Sequence, residues 1–344
     1  MSDDQFRIKA AESRKDFSTA HAYRLLMVHE HDFEKSEPFN RALKALKSTG
    51  GRDSLNLKNI YIGGPEKAGK LAFVFPGQGS QYLGMGRDFV CTFPQALKIL
   101  EDFNEKLRGR ALLSDLIFPP PACSTEERQR QEKALKSTDI AQPAIGAVSL
   151  AMLKILQKFA INPDATCGHS FGEMTALCAA GWIDEQALMT LSVTRGRLMA
   201  AAAENPDTSE GAMLAVQAPL NELEALIENS SQKIVIANRN SPNQGVLSGT
   251  VSDIIDIEKI CRKKKLNTVR LPVSTAFHSE LVKDAAQPFA DALKKVPINT
   301  TAVKVFSNTK GKEKPADADE ARTQLGKHLI SQVNLVKEIQ NMIN

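Results

Sequence analysis

Short apolar runs alternate along the chain with longer stretches that carry apolar residues at helical spacing. Residues 71–75 and 303–307 are continuous apolar runs of the kind that a buried parallel strand needs, and residues 164–167 can end a third strand. Residues 144–159 and 185–204 have the spacing and composition of buried helices. Because helices cover both faces of a parallel sheet, this pattern predicts an α/β fold.

A different pattern occupies the chain between residues 211 and 273. Its predicted elements are strand 213–217, helix 221–227, strands 234–237 and 245–247, helix 252–264 and strand 268–273. The order βαββαβ is typical of a ferredoxin-like split unit. We therefore predict a small ferredoxin-like subdomain, residues 211–273, inserted into a large α/β subdomain that comprises residues 70–210 and 274–344.

Residues 1–69 form a charged segment with mixed signals, which we interpret as an accessory unit. Residues 18–29 and 39–47 have helical spacing, and residues 59–62 are typical of a short strand. A cluster of histidines lies here, but a metal site would also need cysteines or suitably spaced carboxylates, so no metal site is predicted. The clustered histidines are His21, His29 and His31.

The composition is that of an ordinary soluble protein, with 42% hydrophobic and 24% charged residues. A net charge of +4 is too mild to indicate a nucleic-acid partner. No apolar run approaches the roughly 20 residues of a membrane span, and the first residues lack the apolar core of a signal peptide. The scattered cysteines form no Cys-x-x-Cys pair, which argues against zinc and disulfides and predicts a reducing cytoplasm. They are Cys91, Cys123, Cys167, Cys178 and Cys261.

The segment Gly168-His169-Ser170-Phe171-Gly172 places a serine between two glycines at the spacing of a nucleophile elbow. In such an elbow a strand turns sharply into a helix, and the glycines leave room for a strained serine whose hydroxyl is exposed. Residues 174–180 have the composition of the helix that would follow. The pattern predicts that Ser170 is a nucleophile.

A second loop of interest follows the strand at residues 71–75. It reads Pro76-Gly77-Gln78-Gly79-Ser80-Gln81. Two glycines and a proline directly after a buried strand give a tight loop whose backbone amides can approach a ligand closely. An ordinary glycine turn before the next helix is the alternative interpretation.

Five motifs together resemble the family of malonyl-CoA:acyl-carrier-protein acyltransferases, which includes the acyltransferase domains of fatty acid and polyketide synthases. They stand in the family's order: residues 73–81, residues 168–173 (Gly-His-Ser-Phe-Gly-Glu), Arg195, residues 240–244 (Asn-Ser-Pro-Asn-Gln) and residues 276–279 (Ala-Phe-His-Ser). The resemblance covers about residues 70–344. It implies a hydrolase-like α/β subdomain with a ferredoxin-like insertion, in agreement with the predicted order of elements.

The resemblance also implies a ping-pong acyl transfer through a serine ester. It makes Ser170 the nucleophile and His278 the general base that takes its proton. The backbone amides of Gln78 and Phe171 would form the oxyanion hole, which stabilises the negative charge that develops on the substrate carbonyl.

Three more residues receive substrate-binding roles by resemblance. Arg195 would bind the free carboxylate of the malonyl group, since a planar guanidinium can donate two parallel hydrogen bonds to it. Phe277 stands directly before the histidine, as in malonyl-selective members of the family, so we expect malonyl to be preferred over methylmalonyl. His169 would orient the carboxylate or the elbow, and a purely structural role stays open for it.

The family steadies its histidine with a backbone carbonyl from a Pro-Val-Gln-Trp-like stretch instead of an aspartate. The matching stretch here is Gln332-Val333-Asn334-Leu335, which lacks the proline and the tryptophan. A carbonyl can come from any residue type, so the resemblance places Asn334 in the orienting role.

By resemblance, the substrates are malonyl-CoA and the phosphopantetheine thiol of an acyl carrier protein, with no permanently bound cofactor or metal. The expected partners are the carrier protein, acyl-CoA and neighbouring synthase domains such as a ketosynthase, with no nucleic acid and no membrane. The Gly-His-Ser-Phe-Gly-Glu motif resembles domains of multidomain iterative synthases of the polyunsaturated fatty acid type. Residues 1–69 would then be part of the linker that joins ketosynthase to acyltransferase.

Two other functions share some of these features. A serine hydrolase or thioesterase has the same elbow but gives the acyl group to water, and Arg195 and the loop around Gln78 argue against it. A catalytically idle docking module would fit a synthase, but intact Ser170 and His278 argue against that.

Overall fold

The computed structural model describes residues 2–18, 20–28, 36–49, 59–64, 69–107, 111–204, 210–273 and 275–344. The chain divides into two compact units, Met1–Gly69 and Lys70–Asn344. The second unit contains the α/β core, the ferredoxin-like element order and every candidate site residue.

In the first unit the structure has α1 (Asp3–Lys15), β1 (Arg24–Met27), α2 (Ser36–Thr49) and β2 (Ile60–Gly63). The strands β1 and β2 pair antiparallel. The helix predicted over residues 18–29 is therefore wrong, because residues 24–27 pair their backbone with residues 60–63 as a ladder instead of bonding locally. The predicted helix at 39–47 and strand at 59–62 are confirmed by α2 and β2.

The histidine cluster of this unit falls largely outside the described residues, since neither His29 nor His31 belongs to them. Within the ranges that the structure describes, no group of three or more His, Cys, Asp or Glu side chains could hold a metal ion.

The second unit begins with one long α/β segment. Its elements are β3 (Ala72–Phe75), α3 (Arg87–Thr92), α4 (Pro94–Lys106), α5 (Leu113–Ile117), α6 (Thr125–Lys136), α7 (Thr138–Lys158), β4 (Ala165–Gly168), α8 (Gly172–Ala179) and α9 (Glu185–Glu204).

The middle of the second unit has β5 (Gly211–Gln217), α10 (Leu220–Glu228), β6 (Val235–Ser241), β7 (Gln244–Thr250), α11 (Val251–Lys263) and β8 (Asn267–Arg270). The chain then continues with a 3₁₀ turn (Glu280–Val282), α12 (Lys283–Lys294), β9 (Lys304–Val305), α13 (Ala318–Lys327), β10 (Val333–Asn334) and α14 (Leu335–Ile343).

A parallel sheet with the order β3-β4-β9 forms the centre of the large subdomain. The helices α4, α7 and α9 pack against one another beside it, and their buried side chains form one large apolar cluster. Phe103, Leu150 and Leu188 are fully buried there. The predicted α/β fold class is confirmed, because the three predicted strands do pair in parallel and the predicted helices do pack as a core.

The buried helix α7 begins earlier than the sequence predicts. The predicted start, residue 144, follows Pro143, but the helix begins at Thr138 and the proline lies inside it. By length and composition α7 is also the one described helix that could cross a membrane. However, 13 of its residues are buried against the rest of the unit, as in the core helix of a globular protein. The cytoplasmic location stays a prediction.

The small subdomain has a sheet with the order β6-β7-β5-β8. Every neighbouring pair among these four strands is antiparallel, and α10 and α11 pack on the sheet with their own apolar cluster. A fifth strand comes from outside the segment, since β10 pairs in parallel with β6. Next to it, Gln332 Nε2 donates to the Ile236 carbonyl at 2.5 Å.

Candidate active site

The elbow forms where β4 ends and α8 begins. Ser170 has a φ of 50°, in the left-handed region that side-chain-bearing residues rarely adopt. A Cβ on Gly168 would collide with the backbone of Gly172, and a Cβ on Gly172 would collide with the Phe75 carbonyl at the end of β3. Glycine is therefore required at both positions for the strand to turn into the helix within this space.

His278 lies within hydrogen-bond distance of Ser170. Its Nε2 is 2.8 Å from Ser170 Oγ, and the imidazole is almost fully buried. Burial, followed by the neighbouring His328 and Arg195, holds the pKa of His278 well below its ordinary value. The ring is therefore neutral near pH 7, which is the state that can accept a proton from the serine hydroxyl.

The other ring nitrogen of His278 fixes its tautomer. Nδ1 lies 2.8 Å from the Ser331 carbonyl and 3.1 Å from the His328 carbonyl. Carbonyl oxygens only accept, so Nδ1 carries the proton and Nε2 presents its lone pair to Ser170.

Asn334 does not provide the orienting carbonyl, so this prediction is wrong. Asn334 belongs to β10, where it pairs with Arg239 of β6. Its backbone N–H donates to the Asn308 carbonyl at 2.9 Å, and its side chain caps α14. The carbonyls at His278 Nδ1 belong instead to His328 and Ser331, which precede β10 in the chain.

Arg195 approaches the same hydroxyl from α9. Its Nη2 lies 3.3 Å from Ser170 Oγ, and only 1% of the residue is exposed. Burial lowers the pKa of Arg195, and the charge of Glu173 offsets part of that effect. Arg195 Nε has no hydrogen-bond partner, and no ion pair within the described ranges includes this residue. A buried cation without a carboxylate partner is costly, so the site suits an anionic ligand.

The loop after β3 packs directly on the elbow. A Cβ on Gly77 would collide with the His169 carbonyl. The Gln78 side chain is held by Thr138, whose Oγ1 is 3.1 Å from Gln78 Nε2. Among the hydrogen bonds of the described residues, none uses the backbone N–H of Gln78 or of Phe171. Both amides are thus available to an oxygen of a bound substrate.

His169 and Phe277 border the same space. His169 Nε2 is 2.8 Å from Asn240 Oδ1, and burial lowers the pKa of the imidazole. Since an amide oxygen only accepts, His169 is a neutral donor to Asn240. Phe277 is 7% exposed, and its carbonyl accepts a hydrogen bond from Ser248 Oγ at 2.9 Å.

A cavity of about 400 Å³ brings these side chains together between the two subdomains. Ser170, His278, Arg195, Phe277, His169 and Gln78 all line it. The small subdomain contributes largely apolar side chains to the opposite wall, among them Met213, Ala215 and Val246. Of the predicted site residues, Asn334 and the fully buried Phe171 side chain do not line the cavity, and the predicted role of Phe171 needs only its amide.

A buried polar cluster behind the elbow was missed by the sequence analysis. It consists of Glu173, Asn308, Lys314, His328 and Glu338. Glu173 and Lys314 form an ion pair at 2.6 Å with both side chains buried. Burial and the nearby Glu173 raise the pKa of Glu338 to about 9, so this carboxyl is protonated at neutral pH. The position of Asn308, just beyond the carboxyl end of β9, could have indicated it, because functional groups collect at that edge of a parallel sheet.

Comparison with known proteins gives the class. The model of the acyl transferase domain family matches residues 72–339. The chain belongs to this family, and it is an acyltransferase.

Two curated relatives are similar over most of the chain. The malonyl CoA-acyl carrier protein transacylase of Bacillus subtilis is 32% identical over 276 residues, which is 80% of this chain and 83% of that protein. A polyunsaturated fatty acid synthase subunit of Thraustochytrium sp. is 31% identical over 283 residues, which is 80% of this chain but 10% of that protein. The chain therefore spans only a small part of the longer relative.

Two solved structures are also similar. The acyltransferase domain from the second module of the salinomycin polyketide synthase has a TM-score of 0.74 at 25% identity, covering 99% of this chain and 77% of that one. A malonyl-transacylase in complex with a type II polyketide synthase acyl carrier protein has a TM-score of 0.68 at 30% identity, covering 77% of this chain and 82% of that one.

Proposed function

We propose that this acyltransferase moves a malonyl group from CoA to the phosphopantetheine thiol of an acyl carrier protein. The observation that carries the proposal is the buried Arg195 guanidinium, which has no carboxylate partner among the described residues and lies 3.3 Å from the hydroxyl that His278 can activate. The names of the similar proteins, a malonyl transacylase among them, support the same substrate.

The first half-reaction is the acylation of Ser170. His278 Nε2 takes the proton of Ser170 Oγ as the oxygen attacks the thioester carbonyl of malonyl-CoA. The Gln78 and Phe171 amides donate to the oxyanion, and each such donor typically contributes about 3 to 4 kcal/mol of transition-state stabilisation. The C–S bond then breaks, and the CoA sulfur leaves with the proton that His278 held.

The second half-reaction reverses these steps with a different thiol. His278 takes the proton of the phosphopantetheine thiol, whose sulfur attacks the Ser170 ester. The ester C–O bond breaks, and His278 returns the proton to Ser170 Oγ. The malonyl group leaves on the carrier protein, and the enzyme returns to its starting state.

The two other functions are less well supported. A serine hydrolase or thioesterase does not need a buried cation without a carboxylate partner beside its nucleophile. In this structure the almost fully buried Arg195 lies 3.3 Å from Ser170 Oγ, with no carboxylate partner among the described residues. A docking module does not need a serine with a φ of 50° and a neutral histidine 2.8 Å away. Backbone strain of this kind persists where it contributes to a mechanism.

The test is intact-protein mass spectrometry after mixing with malonyl-CoA. The parent should gain one malonyl group, which a holo carrier protein should then remove. Ser170→Ala should gain none. Ser192→Ala is the matched control, because among the described residues its Oγ bonds only to the Leu188 carbonyl within α9, and its loss should leave the adduct intact. An adduct on Ser170→Ala, or transfer to water at the rate of transfer to the carrier, would refute the proposal.

We further propose that residues 1–69 are part of the linker between a ketosynthase and this acyltransferase in a multidomain cytoplasmic synthase of the polyketide or polyunsaturated fatty acid type. Support comes from the synthase-domain structure that matches 99% of this chain and from the long synthase relative that this chain matches over 10% of its length. The boundary at residue 69 coincides with the division of the chain into two compact units.

A further inference from the structure

The side chain of Asn308 lies directly behind the strained backbone of the elbow. Its Oδ1 accepts the backbone N–H of Ser170 at 2.6 Å, and its Nδ2 donates to the Gly168 carbonyl at 2.5 Å. One carboxamide thus bridges the residue that ends β4 and the residue that carries the nucleophile. The two bonds require the oxygen and the nitrogen in these positions, so the orientation of the amide is determined.

Asn308 is itself held from three sides. Its backbone N–H donates to Glu173 Oε2 at 2.9 Å, and its carbonyl accepts the Asn334 N–H at 2.9 Å. Nδ2 also lies 3.2 Å from a carboxyl oxygen of Glu338. Glu173 is anchored in turn by its buried ion pair with Lys314. Asn308 therefore lies at the centre of a buried polar network, in which hydrogen bonds hold its backbone as well as its side chain.

The same residue reaches the segment that orients the general base. His328 Nε2 is 3.4 Å from Asn308 Oδ1, and the His328 carbonyl accepts from His278 Nδ1 at 3.1 Å. Asn308 therefore contacts the backbone of the nucleophile on one side and the support of the histidine on the other.

We propose that Asn308 is a positioning residue that sets the distance between Ser170 Oγ and His278 Nε2. It also occupies the Ser170 N–H, so that the amide of the next residue, Phe171, is the one left to face a substrate oxygen. The inference rests on the proposed function, since it assumes that Ser170 is acylated.

The direct test is Asn308→Leu, which keeps the approximate shape but removes every side-chain hydrogen bond. Single-turnover acylation by malonyl-CoA should slow about 100-fold, the typical effect of a misplacement of about 1 Å at reacting atoms. The dissociation constant of malonyl-CoA, measured in the Ser170→Ala background, should stay unchanged. The matched control is Ser307→Ala, because Ser307 is the buried residue next to Asn308 in sequence and its Oγ has no hydrogen-bond partner in the part of the chain that the structure describes.

A second variant, Asn308→Asp, tests the role without loss of shape. A protonated aspartic acid can accept from Ser170 and donate to Gly168 as the amide does, whereas the ionised form cannot donate. The variant-to-parent ratio of acylation rates should therefore rise as pH falls. The titratable groups around the introduced carboxyl are Glu173, Glu338, Lys314, His328 and Cys167.

The outcomes separate this inference from the proposed function. If Asn308→Leu folds and acylates at the parental rate, or weakens binding while its acylation rate is kept, the inference is wrong. If Asn308→Leu does not fold, Asn308→Asp decides, and a variant-to-parent ratio independent of pH overturns the inference. An adduct on Ser170→Ala would instead overturn the proposed function, whatever the Asn308 variants do.

Discussion

Arg195→Ala should lower kcat/KM far more for malonyl transfer than for acetyl transfer. Malonyl carries a carboxylate that the guanidinium can bind, and acetyl does not. Because Arg195 is 1% exposed, the lost interaction is one between desolvated charges. Truncating one partner of such a buried pair typically costs about 2 to 5 kcal/mol, which corresponds to roughly a 30- to 4,000-fold loss in kcat/KM for malonyl-CoA.

The loss for acetyl-CoA should be much smaller. The contact that Arg195 makes with Ser170, 3.3 Å from Nη2 to Oγ, is shared by both substrates. One ordinary hydrogen bond contributes about 1 kcal/mol, so acetyl transfer should fall by no more than about 5-fold. The ratio of the two losses is therefore the quantity to measure.

The assay is transfer to a holo carrier protein, with kcat/KM determined for each CoA ester. Arg197→Ala is the matched control, because it removes an exposed arginine two residues further along the same helix. Arg197→Ala should leave kcat/KM unchanged for both CoA esters. Equal factors for malonyl and acetyl in Arg195→Ala would refute the reasoning and would make Arg195 a structural residue.

Two further predictions concern the cavity wall and the base. Phe277→Ser should weaken discrimination against methylmalonyl-CoA, because rejection of one methyl group by shape is typically a factor of roughly 10 to 200. The measurement is competition between malonyl-CoA and methylmalonyl-CoA. A ratio of malonyl to methylmalonyl transfer that is the same in the variant and the parent would contradict this prediction. Burial lowers the pKa of His278, so its imidazole stays neutral at pH values below the ordinary histidine pKa. We therefore expect kcat/KM for acylation to stay level as pH falls to about 6.5 and to decline only at lower pH. A decline centred at the ordinary histidine pKa would contradict the structure.

The sequence predicts those features that local chemistry dictates. The elbow is an example, because a turn of this kind needs glycine on both sides of Ser170, and the spacing of Gly168 and Gly172 in the sequence indicates it. The ferredoxin-like order could be predicted for a similar reason, since hydrophobic periodicity gives the elements and their succession. The start of α7 could not, because proline is favoured in the first turn of a helix, and the burial of 13 of the 21 residues of α7 overrides that preference at Pro143.

Contacts between distant segments explain the remaining errors. The strand at residues 24–27 exists because residues 60–63 pair with it, and periodicity within one segment cannot show its partner. The orienting carbonyl was assigned to Asn334 by resemblance, whereas the turn around Ser331 provides it. The buried cluster forms around Asn308, whose side chain donates to the Gly168 carbonyl 140 positions away, so its geometry exists only in the folded chain.

The strand β10 has a consequence for domain exchange. It belongs by sequence to the large subdomain, yet it is the fifth strand of the small sheet. It follows closely after Ser331, whose carbonyl lies 2.8 Å from His278 Nδ1. A chimera that replaced only residues 211–273 would offer β10 a foreign neighbour in place of β6, and a shift there would reach the histidine within two residues. Transplanted substrate selectivity should therefore be retained best when the β6 edge and residues 332–334 are exchanged as a matched pair.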